Sequence, residues 1–197
     1  IEDVRNSELF SDGDIIRIKG ILTAQNSTSS WWIQDATGGL NVYVPSALRD
    51  QFADYAIGIE VEIIGELDIY KNLYEIAYFE KVTVTNETPA LPIAQDISAV
   101  DFTDVALMDY QAELVDFTGF VLQEAVTATS GYINFTLINP TTGATIPAFI
   151  HTASMNYTAS LTGISAFAAG DAVDVSGAIL GWNNGHYQLV VTDNHFT

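Results

Sequence analysis

Along most of this chain apolar and polar residues alternate with a period of two, the pattern of strands that bury one face. In the first half the alternation runs through about 14–25, 30–36, 39–45, 59–69 and 73–84, with Gly, Asn and Thr between the runs. One stretch breaks it. SALRDQFADYA (46–56) opens on Ser and spaces Leu48, Phe52 and Tyr55 at helical intervals, which predicts a short helix between the third and fourth strands. The second half alternates at about 111–124, 131–138, 144–151, 171–181 and 186–193. Between its third and fourth runs, TASMNYTASLTGISAF (152–167) is rich in Ser and Thr and only weakly helical, with Met155, Leu161 and Phe167 available to plug a barrel base. Five strands with a helix between the third and fourth is the order of an OB-fold barrel.

The chain also repeats itself. GIEVEIIGELDIYKNLYEI (58–76) and GDAVDVSGAILGWNNGHYQL (170–189) share a glycine, an alternating strand, a second glycine seven residues on, an aromatic, an Asn-containing turn and another strand. Upstream, IIRIKGILTAQ (15–25) has its counterpart in AELVDFTGFVLQE (112–124), each interrupted by a glycine, Gly20 or Gly119. A period of roughly a hundred residues means two copies of one small domain rather than a solenoid. The expected fold is therefore all-β: two tandem five-stranded OB-fold Greek-key barrels, residues 1–95 and 96–197, the first with the short helix. The joining stretch, 85–109, holds two of the five prolines and starts extended, and its acidic later part is expected to cap the second barrel.

Charge changes the picture more than composition does. The 25 acidic and 6 basic residues give a formal net charge of −19, which repels polyanions at long range and is best tolerated where salt or calcium screens it. Arg5, Arg17, Lys19, Arg49, Lys71 and Lys81 are the only Lys and Arg, so the second copy contains no permanent cation. Cysteine is absent, which leaves the redox compartment open. No run of eighteen apolar residues occurs and no basic-then-apolar leader opens the chain, so a soluble mature protein or an excised fragment is expected, with no membrane partner.

Catalytic signatures are missing. His151, His186 and His195 lack zinc-ligand spacing, no nucleophile elbow or phosphate loop occurs, and Gly38-Gly39 reads as a hairpin pair. Calcium at Asp12, Asp14 or Asp35 would need a ligand-loop spacing that the sequence does not have, which favours ordinary solvated acids. No catalytic residue, metal or cofactor is assigned.

SWWIQDATGGLNVYVP (30–45) followed by the Gly58 to Gly65 strand, Tyr70 and Glu75 resembles the OB-fold modules that accompany the catalytic domains of secreted bacterial nucleases. The second copy keeps the GDAVDVSG end but loses the Gln34-Asp35 pair. The resemblance implies an extracellular, non-catalytic accessory module, with a neighbouring catalytic domain of the same polypeptide as one partner.

OB barrels bind ligands on the outer face around strands two and three and the adjoining loops. If Ile16, Ile18, Trp31, Ile33, Leu40, Val42 and Val44 point inward, then Arg17, Lys19, Trp32, Gln34, Asn41 and Tyr43 point outward, and Tyr70, Lys71 and Tyr74 extend the strip along the hairpin between strands four and five. Stacked aromatics worth about 1–3 kcal/mol per base, with nearby cations on the phosphates, are how single-stranded nucleic acid is held without sequence preference. In the second copy Trp182, beside the Asn183-Asn184-Gly185 turn with His186 and Tyr187, is a further stacking candidate; packing back onto its own barrel is the favoured reading there. Two functions stand side by side. One is weak single-strand binding by the first barrel; the other is a glycan-binding, spacer or protein-interaction module, in which outward aromatics serve as an interface.

Overall fold

The alternation resolves into two all-β units, Ile1–Ile93 and Ala94–Thr197. The computed structural model describes residues 1–5, 9–88, 90–126, 131–183 and 185–197. Pro89 of the joining stretch and Asn184 of the hairpin turn lie outside the described residues.

The first unit opens with a single helical turn, α1 (Glu2–Arg5), followed by β1 (Ile15–Ser27), β2 (Ser30–Gln34), β3 (Gly39–Tyr43), a 3-10 turn (Ser46–Leu48), α2 (Arg49–Ala53), β4 (Glu60–Tyr70) and β5 (Leu73–Asn86). The strands close in the order β1-β2-β3-β5-β4, an OB-fold barrel. Its interior holds Ile16, Ile18, Trp31, Ile33, Leu40, Val42 and Val44. The helix lies where its apolar spacing puts it because Phe52 is fully buried, with ring centroids 5.5 Å from Trp31 and 5.7 Å from Phe79.

The second unit contains β6 (Gln95–Asp96), α3 (Asp104–Leu107), β7 (Leu114–Leu122), β8 (Tyr132–Ile138), β9 (Thr145–His151), α4 (Tyr157–Ser165), β10 (Ala172–Asn183) and β11 (His186–Val190). The order β10-β11-β9-β8-β7 closes through a β10–β7 pairing, giving the second OB-fold barrel. The short β6, which the alternation did not foretell, adds to β7 in parallel. Downstream of it the acidic stretch carries an apolar stripe: Ile97 is fully buried, and Phe102 sits 5.4 Å from Phe117 and 4.7 Å from Phe120 between ring centroids. Ser and Thr notwithstanding, 157–165 forms a helix, anchored by buried Ile164 and Ser160.

Candidate functional site

The thirteen-residue β1 belongs to two ladders. From Ile15 to Ile21 it pairs with β4, and from Ile21 to Ser27 with β2. A side chain on Gly20, at the changeover, would put its Cβ 2.8 Å from the Gln34 carbonyl oxygen, so the strand turns where only glycine fits. One consequence is that Arg17 and Lys19 stand beside β4 and β5, not beside Trp32. Arg17, Ile64 and Lys81 form one cross-strand row, and Lys19, Glu62 and Thr83 the next. Both cations are exposed and already partnered. Arg17 Nη2 donates to Glu62 Oε2 at 2.6 Å and Lys19 Nζ to Glu60 Oε2 at 2.8 Å. Hydrogen bonds from Lys19 and then Thr85 hold the Glu60 carboxyl below its usual range.

Trp32, Gln34 and Asn41 correct the outward reading, because they are only 3 %, 2 % and 3 % exposed. Alternation tells which side of a sheet a side chain leaves, not whether that side meets water; along β2 and β3 both sides are buried from Trp31 to Gln34 and from Gly39 to Val42. Asn41 is tied to its own sheet, with Nδ2 donating to the Trp31 carbonyl at 2.9 Å and to Ser30 Oγ at 3.1 Å. Tyr74 stands on β5 and not on the loop before it. It pairs with Ile69 and packs half-buried against the first core.

Tyr43, Tyr70 and Lys71 remain on the surface. Tyr43 is 45 % and Tyr70 57 % exposed, and Lys71 Nζ sits 5.2 Å from the centre of the Tyr70 ring. Lys71 (φ 50°) and Asn72 (φ 72°) occupy the centre of the β4–β5 hairpin, whose two-residue turn requires positive φ at both positions. Asn accepts this readily, whereas Lys does so at a cost, which marks Lys71 as a strained residue at a hairpin tip. The two tyrosines lie on opposite sides of a row formed by Asn41, Glu75 and Asp68 on β3, β5 and β4.

That row contains a group the sequence reading quoted without assigning chemistry to it. Glu75 is 8 % exposed, and its pKa is pushed up to about 7, first by burial and then by the neighbouring Asp68 charge. The sequence also gave no role to Ile64, Tyr78 and Lys81. Ile64 and Tyr78 are 50 % and 69 % exposed, and Tyr78 sits at φ 46° in a bulge opposite Gly65. A bulge shifts the period of two, so a strand read as regular conceals which residue it turns outward.

The acids weighed for calcium serve the backbone instead. Asp35 Oδ1 accepts from the Thr37 and Gly38 amides at 2.7 and 3.1 Å, Asp12 from Ile69 at 2.8 Å, and Asp14 from Ser11 at 2.7 Å. Among the described residues no group of three or more His, Cys, Asp or Glu is placed to hold a metal ion. In the second barrel Trp182 packs edge-on against Tyr187 at 4.7 Å and against the core. His186 Nδ1 lies 3.3 Å from Asp104 Oδ2, which ties the hairpin to α3. No helix among the described residues is long and apolar enough to cross a membrane.

No family model matches the chain. Endonuclease YhcR of Bacillus subtilis strain 168 is 31 % identical over 131 residues, 63 % of this chain, which spans only 11 % of that protein's length. Among solved structures, the hypothetical protein YgiW from E. coli has a TM-score of 0.33 at 22 % identity, covering 39 % of this chain and 80 % of that one. A murine DNA-binding protein bound to double-stranded DNA has a TM-score of 0.39 at 14 % identity, covering 90 % of each.

Proposed function

We propose that the chain is a non-catalytic tandem OB-fold module of a larger secreted nuclease and that its first barrel binds single-stranded nucleic acid weakly. The observation that carries this reading is the match to an endonuclease of which the chain spans 11 %, so that it corresponds to a small part of a much longer enzyme. A neighbouring catalytic domain of the same polypeptide, no cofactor and an extracellular location belong to the same proposal. On the first barrel the contact is led by Tyr70 and Lys71, an exposed ring and a cation at one hairpin tip, with Tyr43 as a second stacking surface. Arg17 and Lys19 add charge only by leaving Glu62 and Glu60, and this together with the net charge of −19 keeps the affinity low. Trp32, Gln34, Asn41, Tyr74 and Trp182 support the barrels instead of meeting the strand directly.

Fluorescence anisotropy of a labelled oligo-dT and an equal-length duplex, at low and moderate salt and with or without calcium or magnesium, tests the proposal. Binding to the single strand that weakens as salt rises, and falls roughly tenfold in Tyr70→Ala and in Lys71→Gly, is expected. Glycine suits the turn at position 71, so that loss reflects the side chain and not the fold. Binding to no oligonucleotide, or binding indifferent to both substitutions, overturns it. The carboxylate partners of Arg17 and Lys19 favour the second reading, an interaction module for an uncharged ligand, which would bind independently of ionic strength.

A further inference from the structure

An open groove of about 800 Å³ lies on the second barrel between the first turns of α4 and the chain near Asn194. Its lining is uncharged throughout, although the chain as a whole has 25 acidic residues. Asn156, Thr158, Thr162 and Asn194 supply amides and hydroxyls, while Tyr157 and the exposed Met155 supply an aromatic ring and an apolar edge. The carboxylate of Asp193, beside Asn194 in the chain, is turned to structural use. Asp193 accepts from Asn156 Nδ2 and from the Asn194 amide, both at 2.7 Å.

Asn194 lies against α4: its side-chain amide occupies the space that a Cβ on Gly163, in the middle of the helix, would take. The amide is further fixed by the Phe196 N–H, which donates to Oδ1 at 3.3 Å.

We infer that this groove binds a neutral carbohydrate, with Asn194, Asn156 and the threonines meeting its hydroxyls and with Tyr157 and Met155 against a ring face. A polyanion finds no cation there, since no Lys or Arg occurs beyond Lys81. A few polar groups beside an apolar surface are what orient small ligands. The site is on the other barrel from the proposed single-strand contact and is independent of it.

Isothermal titration calorimetry of the full chain against neutral tetrasaccharides of glucose and of N-acetylglucosamine, at low and high salt, tests this. Binding of at least one, unchanged by salt, is expected. Asn194→Ala and Tyr157→Ala should each weaken it at least fivefold while the thermal midpoint stays close to that of the parent. Gly163→Ala, whose Cβ would displace the Asn194 amide from the groove, should also weaken binding. Failure to bind either sugar, or binding that survives Asn194→Ala and Tyr157→Ala, overturns the inference.

Discussion

Glycines at matching positions of the two barrels are there for different reasons. In the first barrel the need is space: a Cβ on Gly65 would meet the Ala77 carbonyl oxygen at 2.7 Å and Phe79 Cβ at 2.8 Å, and one on Gly20 the Gln34 carbonyl oxygen at 2.8 Å. In the second barrel the need is backbone shape. Gly119 (φ 80°) has nothing within 4 Å of its Cβ position, and Gly177 (φ 69°) has only His195 Nδ1 at 3.8 Å. Both of these sit where the β7–β10 ladder slips register. Their amides donate to Asp174 at 3.0 Å and Asp116 at 2.7 Å. The repeat thus preserves a residue type while the physics behind it changes, and part of the second barrel's acidity is spent on satisfying bulged backbone.

Substitution series separate the two cases. Gly65→Ala should cost the most, about 3 kcal/mol in urea denaturation, and Gly65→Asn more still, because a larger group must enter a closed space. A similar cost for Asn at Gly119 would break the comparison. Next comes the raised carboxyl of Glu75. With a folded pKa of about 7 against 4.5 unfolded, unfolding releases a proton between those values, so stability falls as pH rises through that window. Glu75→Gln should therefore stabilise by about 2 kcal/mol at pH 8 and by little at pH 4, and an equal effect at both would refute this origin. Gly119→Ala should cost about 1–2 kcal/mol from the left-handed backbone alone, with Gly119→Asn cheaper than Ala, the reverse of the order at Gly65. Smallest is the charge asymmetry: Lys19→Ala should change stability by less than about 1 kcal/mol, and the difference should vanish in high salt because the pair with Glu60 is exposed.

The fold was legible because its signals are local and redundant. Ile16, Ile18, Ile33, Leu40 and Val42 alternate in register, Phe52 sits at helical spacing between two strands, and the pattern occurs twice. The short β6 and the apolar side of the acidic stretch were not legible, since two residues carry no period and Ile97 and Phe102 lie among acids. The candidate face was read less completely. Trp32 leaves the sheet on the expected side but is buried, and Arg17 turns toward β4 because β1 changes partner near Gly20. Burial of an outer face and the choice of neighbour along a long strand are tertiary facts; no window of sequence encodes them. Tyr70 and Lys71 were found because outward and exposed coincide at a hairpin tip.

Each barrel is completed by a parallel ladder of two residue pairs, Asn41 with Glu75 and Val42 with Ile76 in the first, Ala148 with Leu189 and Phe149 with Val190 in the second. Parallel partners cannot be joined by a tight turn, so these seams bring together segments distant in the chain and gain nothing from the hairpins around them. While a seam is shut the cylinder has no free edge; once it parts, two strands offer unpaired amides and carbonyls to any passing chain. Resistance to strand exchange and aggregation therefore depends on these few pairs, and hydrogen exchange at Val42, Ile76, Phe149 and Val190 would time how often each cylinder opens.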